Sequence, residues 1–347
     1  MSTTARAPGR VNLIGDHTDY CGGLALPVAL DRAVTATFTP HPTGVLRITS
    51  TVAGSSFCAD LALHADRRSE EPLWQAAARW LAQRLSAPGG TLEVTSSVPV
   101  GAGLSSSAAY CVAVALALGA EGNPFDLATL CQQAEAEGGS DVGLLDQLAS
   151  LAATTGHALR IDFGAGEMTS VELPQSIGLL VVDSGERRQL VTSEYGQRRA
   201  ECAAAAALLG PLPLAELASI EASGDPVVRR RARHVRTECA RVDAAVAAAR
   251  TGDLASFGAV LSEGHASLRD DFEVTTPGID ALVAALEATP GIAGARLCGG
   301  GFGGAVVAVC EPEVSLPASL AARGWRFRPA TGAAVVANGT HQTSGEC

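Results

Sequence analysis

Between Pro99 and Ala109 the chain reads Pro-Val-Gly-Ala-Gly-Leu-Ser-Ser-Ser-Ala-Ala, two glycines and three serines in a short span. A period-two apolar/polar run over 91–97 predicts a strand before it, and a continuous small-apolar run over 110–118 predicts a buried helix after it. A strand-to-helix turn of this composition suits an anion. Gly101 and Gly103 let the backbone turn and let phosphate oxygens come close. The N–H groups of the helix's first turn then face the anion, with the positive end of the helix dipole behind them. Ser105, Ser106 and Ser107 add hydroxyls for phosphate or for Mg²⁺. A serine-capped buried helix would use the same residues, and this stretch alone leaves both readings open. It is not the P-loop of nucleotide hydrolases, because no Lys follows the second glycine. All 25 basic residues of the chain are Arg.

Four further clusters carry chemistry. Arg10, Asp16, His17 and Asp19 crowd one short segment between the apolar runs 11–14 and 24–26. Carboxylates in such a loop can accept hydrogen bonds from adjacent sugar hydroxyls; a solvated turn is the plainer reading. Asp146 sits in an apolar frame, Leu144-Leu145 before it and Leu148-Ala149 after it. An unpaired carboxylate there would be costly and would raise its own pKa, so a helix N-cap competes with a catalytic role. Tyr195, one of three tyrosines, reads as a packing residue on chemistry alone. Five glycines between Cys298 and Ala305 imply close backbone approach or positive φ.

The elements that must position these residues follow from pattern. The spacing predicts strands over 33–38 and 45–49, and a helix over 73–85 with Trp74 and Trp80 as apolar anchors. It predicts a helix over 125–137 carrying Glu135, strands over 157–162 and 177–183, a long helix over 230–250, and another from 252. The Arg run that opens the long helix, 230–235, reads as a solvated face. At 347 residues one large or two medium domains are expected, and 47% hydrophobic with 18% charged residues indicates a globular chain. A net charge of −11 speaks against nucleic acid or an anionic membrane as partner. Nine scattered cysteines without a Cys-x-x-Cys pair suggest neither a disulfide framework nor zinc, and a reducing cytoplasm is expected. No apolar run reaches membrane-spanning length.

Three of these motifs together resemble a known family. Residues 9–23 are similar to the galactokinase signature, usually Gly-Arg-Val-Asn-Leu-Ile-Gly-Glu-His-Thr-Asp-Tyr-Asn-x-Gly, with Asp16 in place of Glu and Cys21 in place of Asn. The serine loop resembles the second motif of the GHMP kinases, and Arg296–Gly304 the third, with Cys298 in place of Thr. Segments around Leu144–Gln147, Ser193–Tyr195, 230–235 and 265–274 are closer to galactokinases than to other GHMP branches. The resemblance implies an α+β, two-lobed GHMP kinase fold with the active site between the lobes. Its expected parts are an N-terminal α/β lobe over 1–165, a ferredoxin-like C-terminal lobe over 166–337, and a disordered tail over 338–347. The last strand, 332–336, is expected to return to the first lobe.

The same resemblance implies transfer of the ATP γ-phosphoryl group to the anomeric hydroxyl of α-D-galactose. Pro99, Gly101, Gly103, Leu104, Ser105, Ser106, Ser107 and Ala108 would hold ATP, and Ser106, Ser107 and Glu135 would hold Mg²⁺. Asp146 would take or orient the O1 proton, with Arg10 pairing to it and stabilising the phosphoryl group. Asp16, His17, Asp19, Gly143, Tyr195 and Gly300 would contact the sugar. The implied protein is a cytoplasmic monomer whose partner is a galactose-like sugar, with no nucleic acid and no membrane. Asp16 is one methylene shorter than Glu, about 1.5 Å, which opens the alternative of a galacto-configured sugar altered at C6. A non-catalytic sugar and ATP sensor is the other alternative, and the intact Arg10 and Asp146 disfavour it.

Overall fold

The computed structural model describes residues 1–52, 55–63, 71–99, 101–139, 142–186 and 192–336. The expected tail over 338–347 and Val100 of the serine loop lie outside them. In chain order the first half holds β1 (Thr3–Asn12), β2 (Leu24–Ala25), β3 (Pro27–Pro40), β4 (Val45–Val52), β5 (Ser55–Ala62), α1 (Leu73–Arg84) and β6 (Gly90–Ser96). There follow α2 (Ser106–Ala117), α3 (Pro124–Glu137), α4 (Leu145–Ala152), β7 (His157–Asp162) and β8 (Glu167–Glu172). The second half holds β9 (Gly178–Asp183), α5 (Thr192–Leu209), α6 (Leu217–Glu221), α7 (Pro226–Thr251), α8 (Leu254–Asp270) and α9 (Pro277–Glu287). It closes with β10 (Ile292–Cys298), β11 (Ala305–Cys310), α10 (Ala318–Ala321), β12 (Gly324–Phe327) and β13 (Ala334–Val336).

The first lobe is a six-stranded sheet in the order β13-β1-β3-β6-β4-β5, covered by α1–α4. Its β4–β6 pair is parallel and its other pairs are antiparallel. The final strand does return to this lobe, pairing Thr4 with Val336. The second lobe is a four-stranded antiparallel sheet, β10-β11-β9-β12, packed by helices. β9, β10 and β11 are mostly apolar because both of their faces are buried, with Arg296 of β10 the charged exception inside. Leu179 and Val181 point into the core shared with the first lobe, while Leu180 and Val182 point into a second core under α5, α7, α8 and α9. The shared core makes the lobe junction a packed surface. A small third sheet, β2-β7-β8, pairs Leu24 with Asp162 and Asp162 with Glu167. The boundary expected at residue 165 therefore falls inside the β7–β8 hairpin, and the chain passes between the main sheets over 173–177.

Two long helices begin as their sequences prescribe. Asp225 caps α7, accepting from the N–H groups of Val227 and Val228, with Pro226 in the first turn; Thr276 caps α9 with Pro277 in the same place. The helix carrying the Arg run is not wholly solvated on its Arg face. Arg231 is 2% exposed and pairs with Glu201 and Glu273, each at 2.7 Å.

Candidate active site

β1 ends and α2 begins at one point between the lobes. Arg10 reaches across it: Nε and Nη2 lie 2.7 and 2.6 Å from Asp146 Oδ1, and Nη1 donates to the Gly103 carbonyl at 2.8 Å. The Arg10 N–H donates to the Leu104 carbonyl at 3.2 Å, which fixes the serine loop against β1. Burial, the largest single influence, works to strip the Arg10 guanidinium of its proton, but Asp146, Cys298 and Asp16 together outweigh it and the net direction is up. The Arg10 side chain is 6% exposed and that of Asp146 25%, so the carboxylate is the member of the pair open to a substrate.

The two conservative readings of these residues fall away here. Ser105 precedes α2 in the left-handed region, φ 57°, and makes no side-chain cap bond; its hydroxyl donates to Asp146 Oδ2. Asp146 lies inside the first turn of α4, where Leu144 holds the cap position, so it is no N-cap either. A non-glycine residue held at positive φ with its hydroxyl on a carboxylate is strain kept for a purpose. The serine loop therefore hands its first hydroxyl to Asp146 and leaves Ser106, Ser107 and Ala108 as the N-terminal turn of α2.

Beside that turn, Glu135 of α3 is buried. Gln147 Nε2 donates to its Oε2 at 2.7 Å, the Ser107 hydroxyl lies near enough to hold the carboxyl down, and Oε1 has no hydrogen-bond partner among the described residues. Burial, then the charge of Asp146, pushes its carboxyl up to about 8. A buried carboxylate with an orphaned oxygen next to serine hydroxyls is a donor set that fits a hard, oxygen-seeking cation such as Mg²⁺. A cavity of about 460 Å³ opens from the same place, walled by Val34, Trp74, Val94 and Tyr110 and floored by Ser106 and Ser107. Pro99 and Gly101 belong to the same loop, with Gly101 at φ 79°.

The sugar-loop candidates gather across from Asp146. His17, φ 63°, is 3.0 Å from the Tyr20 hydroxyl through Nδ1, and its ring centroid lies 4.5 Å from Phe272 and 5.4 Å from Tyr195 of α5. Asp19 shares this wall: burial, then Asp146, pushes its carboxyl up to about 6. Gly143 must be glycine, because a Cβ there would overlap the Asp19 carboxylate. Asp16 departs from the sequence expectation in how it is used. It is 4% exposed, Oδ2 accepts from Arg296 Nη2 at 2.9 Å, and Oδ1 accepts from the Gly299 N–H at 3.1 Å. Its carboxylate points into the protein and ties the loop to the third glycine run, where Gly300 follows. His17 is thus brought against Tyr195 and Asp19 against Gly143, with Asp16 behind them and Gly300 next to the Gly299 that Asp16 holds.

A model of the galactokinase galactose-binding signature matches residues 2–40 of the chain. The N-terminal and C-terminal domains of the GHMP kinases match residues 72–154 and 245–322. Human galactokinase is 41% identical over 328 residues, 89% of this chain and 84% of its own length. The chain belongs to the galactokinase family. Galactokinase of Streptomyces coelicolor is 42% identical over 332 residues, 88% of this chain and 84% of its own. Among solved structures, Lactococcus lactis galactokinase complexed with galactose superposes with a TM-score of 0.85 at 24% identity, covering 96% of this chain and 95% of its own. Methanococcus jannaschii mevalonate kinase superposes at 0.68 and 16% identity, 94% and 98% covered, which shows the common GHMP fold.

Within this galactokinase-family chain, some site residues are not evident from sequence. Apart from Ser106 and Ser107 of the serine loop, the cavity walls come mainly from β3, β4, β6, α1 and α2 and share no motif. Arg296, Glu238 and His234 are wholly buried behind Asp16. Their signal is present but faint: 231, 234, 235, 238 and 242 repeat at helical spacing and are all buried, so that face of α7 turns inward despite its charges. Cys21 packs against the core cluster that holds Cys202 of α5, which seats the Asp19–Cys21 turn on that helix. Among the described residues no helix is long and apolar enough to cross a membrane.

Proposed function

We propose that this protein is an ATP-dependent sugar 1-kinase that phosphorylates α-D-galactose at its anomeric hydroxyl, giving galactose 1-phosphate and ADP. The observation that carries the reading is the Arg10–Asp146–Ser105 cluster, set where the phosphate loop and the sugar wall meet. Phosphoryl transfer asks the protein mainly for positioning and for charge, and this cluster supplies both. Asp146 Oδ1 is held by Arg10 and Oδ2 by Ser105, so the carboxylate cannot rotate and presents its remaining lone pairs to one hydroxyl. That hydroxyl is O1 when the sugar lies against Asp19, His17 and Tyr195. As O1 attacks the γ-phosphorus, Asp146 accepts or orients its proton, and Arg10 offsets the charge that develops on the transferring group.

The N-terminal turn of α2 and the backbone from Gly101 to Ala108 face the phosphates of ATP. The apolar cavity beside Trp74 and Tyr110 has the walls for its base. Ser106, Ser107 and Glu135 would hold Mg²⁺, which when bound supplies positive charge against the phosphate oxygens. Burial of Glu135 favours its neutral form in the absence of a cation, and a cation reverses that preference.

The alternative of a sugar altered at C6 keeps one supporting observation: the Asp16 carboxylate is drawn back onto Arg296 and Gly299 and does not fill the wall in front of it. The deciding experiment is ADP release from ATP with galactose, 6-deoxygalactose, a C6-substituted galactose and glucose, using wild type and Asp146→Asn. Galactose turnover that Asp146→Asn lowers by about 10²-fold or more, roughly 2.7 kcal/mol, with ATP binding kept, supports the reading. A preference for the C6-substituted sugar moves the assignment to that substrate. ATP binding without turnover of any sugar makes the protein a sensor.

A further inference from the structure

Arg296 of β10 lies in an apolar strand and is wholly buried, an expensive place for a guanidinium unless it is paired. It is paired twice. Nη2 donates to Asp16 Oδ2 at 2.9 Å, and Nη1 lies 2.7 Å from Glu238 Oε1 of α7. Glu238 is shared in turn: the Gly15 N–H donates to Oε1 at 3.0 Å, and Arg241 Nε to Oε2 at 2.8 Å. His234 Nε2, one turn earlier on α7, lies 3.1 Å from the Asp16 carbonyl. The backbone at Gly15–Asp16 is therefore gripped at the Gly15 N–H, the Asp16 carbonyl and the Asp16 carboxylate.

The consequences reach the cleft within three residues. His17 is the next residue, in the left-handed region, and it presents its ring to Phe272 and Tyr195, so the fixing of Asp16 sets the backbone from which that ring projects. Asp19 follows on the same turn. We propose that Arg296 is the positioning residue of the sugar wall, acting through Asp16 to set His17 and Asp19, and that Asp16 serves as its link and not as a direct sugar ligand. Glu238 keeps a second cation in Arg241, whereas the Asp16 carboxylate has Arg296 as its ion-pair partner, so loss of Arg296 falls on Asp16. A planar fork spans two carboxylates in a way that a Lys ammonium does not.

The structure also supplies a perturbation that removes no charge. Gly264 of α8 leaves the room in which the guanidinium sits; a Cβ there would meet Arg296 Nη1 at 2.5 Å and Cζ at 3.2 Å. In the helix itself alanine is intrinsically better than glycine, so Gly264→Ala displaces Arg296 while favouring the element that carries the substitution.

The inference rests on the proposed sugar kinase reading, and wild-type turnover of galactose is measured first; if there is none, that reading fails before this one is reached. Steady-state kinetics with galactose and ATP then compare wild type, Arg296→Lys and Gly264→Ala. The expected result is a galactose KM raised about tenfold or more, with kcat within about threefold and ATP KM within about twofold, the pattern of lost ground-state binding. Gly264→Ala carries the test if Arg296→Lys does not fold. An unchanged galactose KM in the folded variants overturns the proposal. So does a parallel loss of kcat and of both KM values, or failure of both variants to fold, since either marks Arg296 as a general structural pin.

Discussion

Arg10→Lys isolates what the guanidinium does for Asp146. Arg10 brings three donors to two places: Nε and Nη2 to Asp146 Oδ1 at 2.7 and 2.6 Å, and Nη1 to the Gly103 carbonyl at 2.8 Å. Lysine keeps the charge but has one nitrogen at the end of a flexible stem, and it cannot hold the carboxylate side-on and reach Gly103 as well. Two charge-assisted hydrogen bonds are lost, each worth about 1.5–3 kcal/mol. If the transition state feels about 3 kcal/mol of that loss, kcat falls by roughly 150-fold. Galactose KM should move much less, because Asp19, His17 and Tyr195 remain. The assay is coupled ADP release at saturating ATP, with thermal unfolding to confirm that the variant is folded. A folded Arg10→Lys protein with kcat within about threefold of wild type would refute the reasoning and make Arg10 a structural residue.

Three further outcomes follow from the same geometry. The Asp19 carboxyl is pushed up to about 6 from 3.8, so between those values the folded protein holds a proton that the unfolded chain has released. Asp19's contribution to stability then falls as pH rises through that window, by at most about 1.4 kcal/mol per pH unit, and levels off above 6, while the Glu135 carboxyl, pushed up to about 8, adds a fall of its own that continues to higher pH. Urea unfolding from pH 4 to 8 should show a shallower fall below pH 6 in Asp19→Asn than in wild type, with the Glu135 part of the slope kept in both, while galactose KM of wild type rises as pH drops below 6; identical pH profiles for the two proteins would contradict it. Gly143→Ala puts a Cβ onto the Asp19 carboxylate, an overpacking of about 1–3 kcal/mol, and should raise galactose KM roughly tenfold or more with ATP KM unchanged. Chelating Mg²⁺ should stop turnover and Glu135→Gln should raise the Mg²⁺ requirement, so an unshifted Mg²⁺ titration in that variant would remove Glu135 from the cation site.

How far the sequence revealed this site depended on where the determinants lie. Backbone-encoded features were legible: the serine loop and the glycine run follow from local composition, while the last strand's return to the first lobe came from the family likeness. Local chemistry was also enough to place Asp146 near Arg10 once the family likeness was seen. Distinctions that depend on rotamer and burial were not legible. Ser105 had the composition of a helix cap, yet its positive φ turns its hydroxyl to Asp146. Asp16 had the place of a sugar ligand, yet the buried cation behind it, 280 residues away in sequence, decides where its carboxylate points. The Arg run of α7 read as solvated because charge alone suggests water; Glu201 and Glu273, from α5 and the turn after α8, supply the counter-charges that let Arg231 be buried. The boundary expected at 165 falls in the turn between β7 and β8, and the pairing of β7 with β2 that ties this hairpin to the first half is a long-range register.

The central claim is that this cleft moves the γ-phosphoryl of ATP to the anomeric oxygen of galactose. Galactose labelled with carbon-13 at C1, incubated with ATP, Mg²⁺ and the enzyme, should yield a new phosphorus resonance split by coupling to C1, with ADP formed in equal amount. Asp146→Asn should form neither at a comparable rate. A phosphate ester without that coupling would place the transfer on another hydroxyl, and no ester from galactose while ATP is bound would contradict the account.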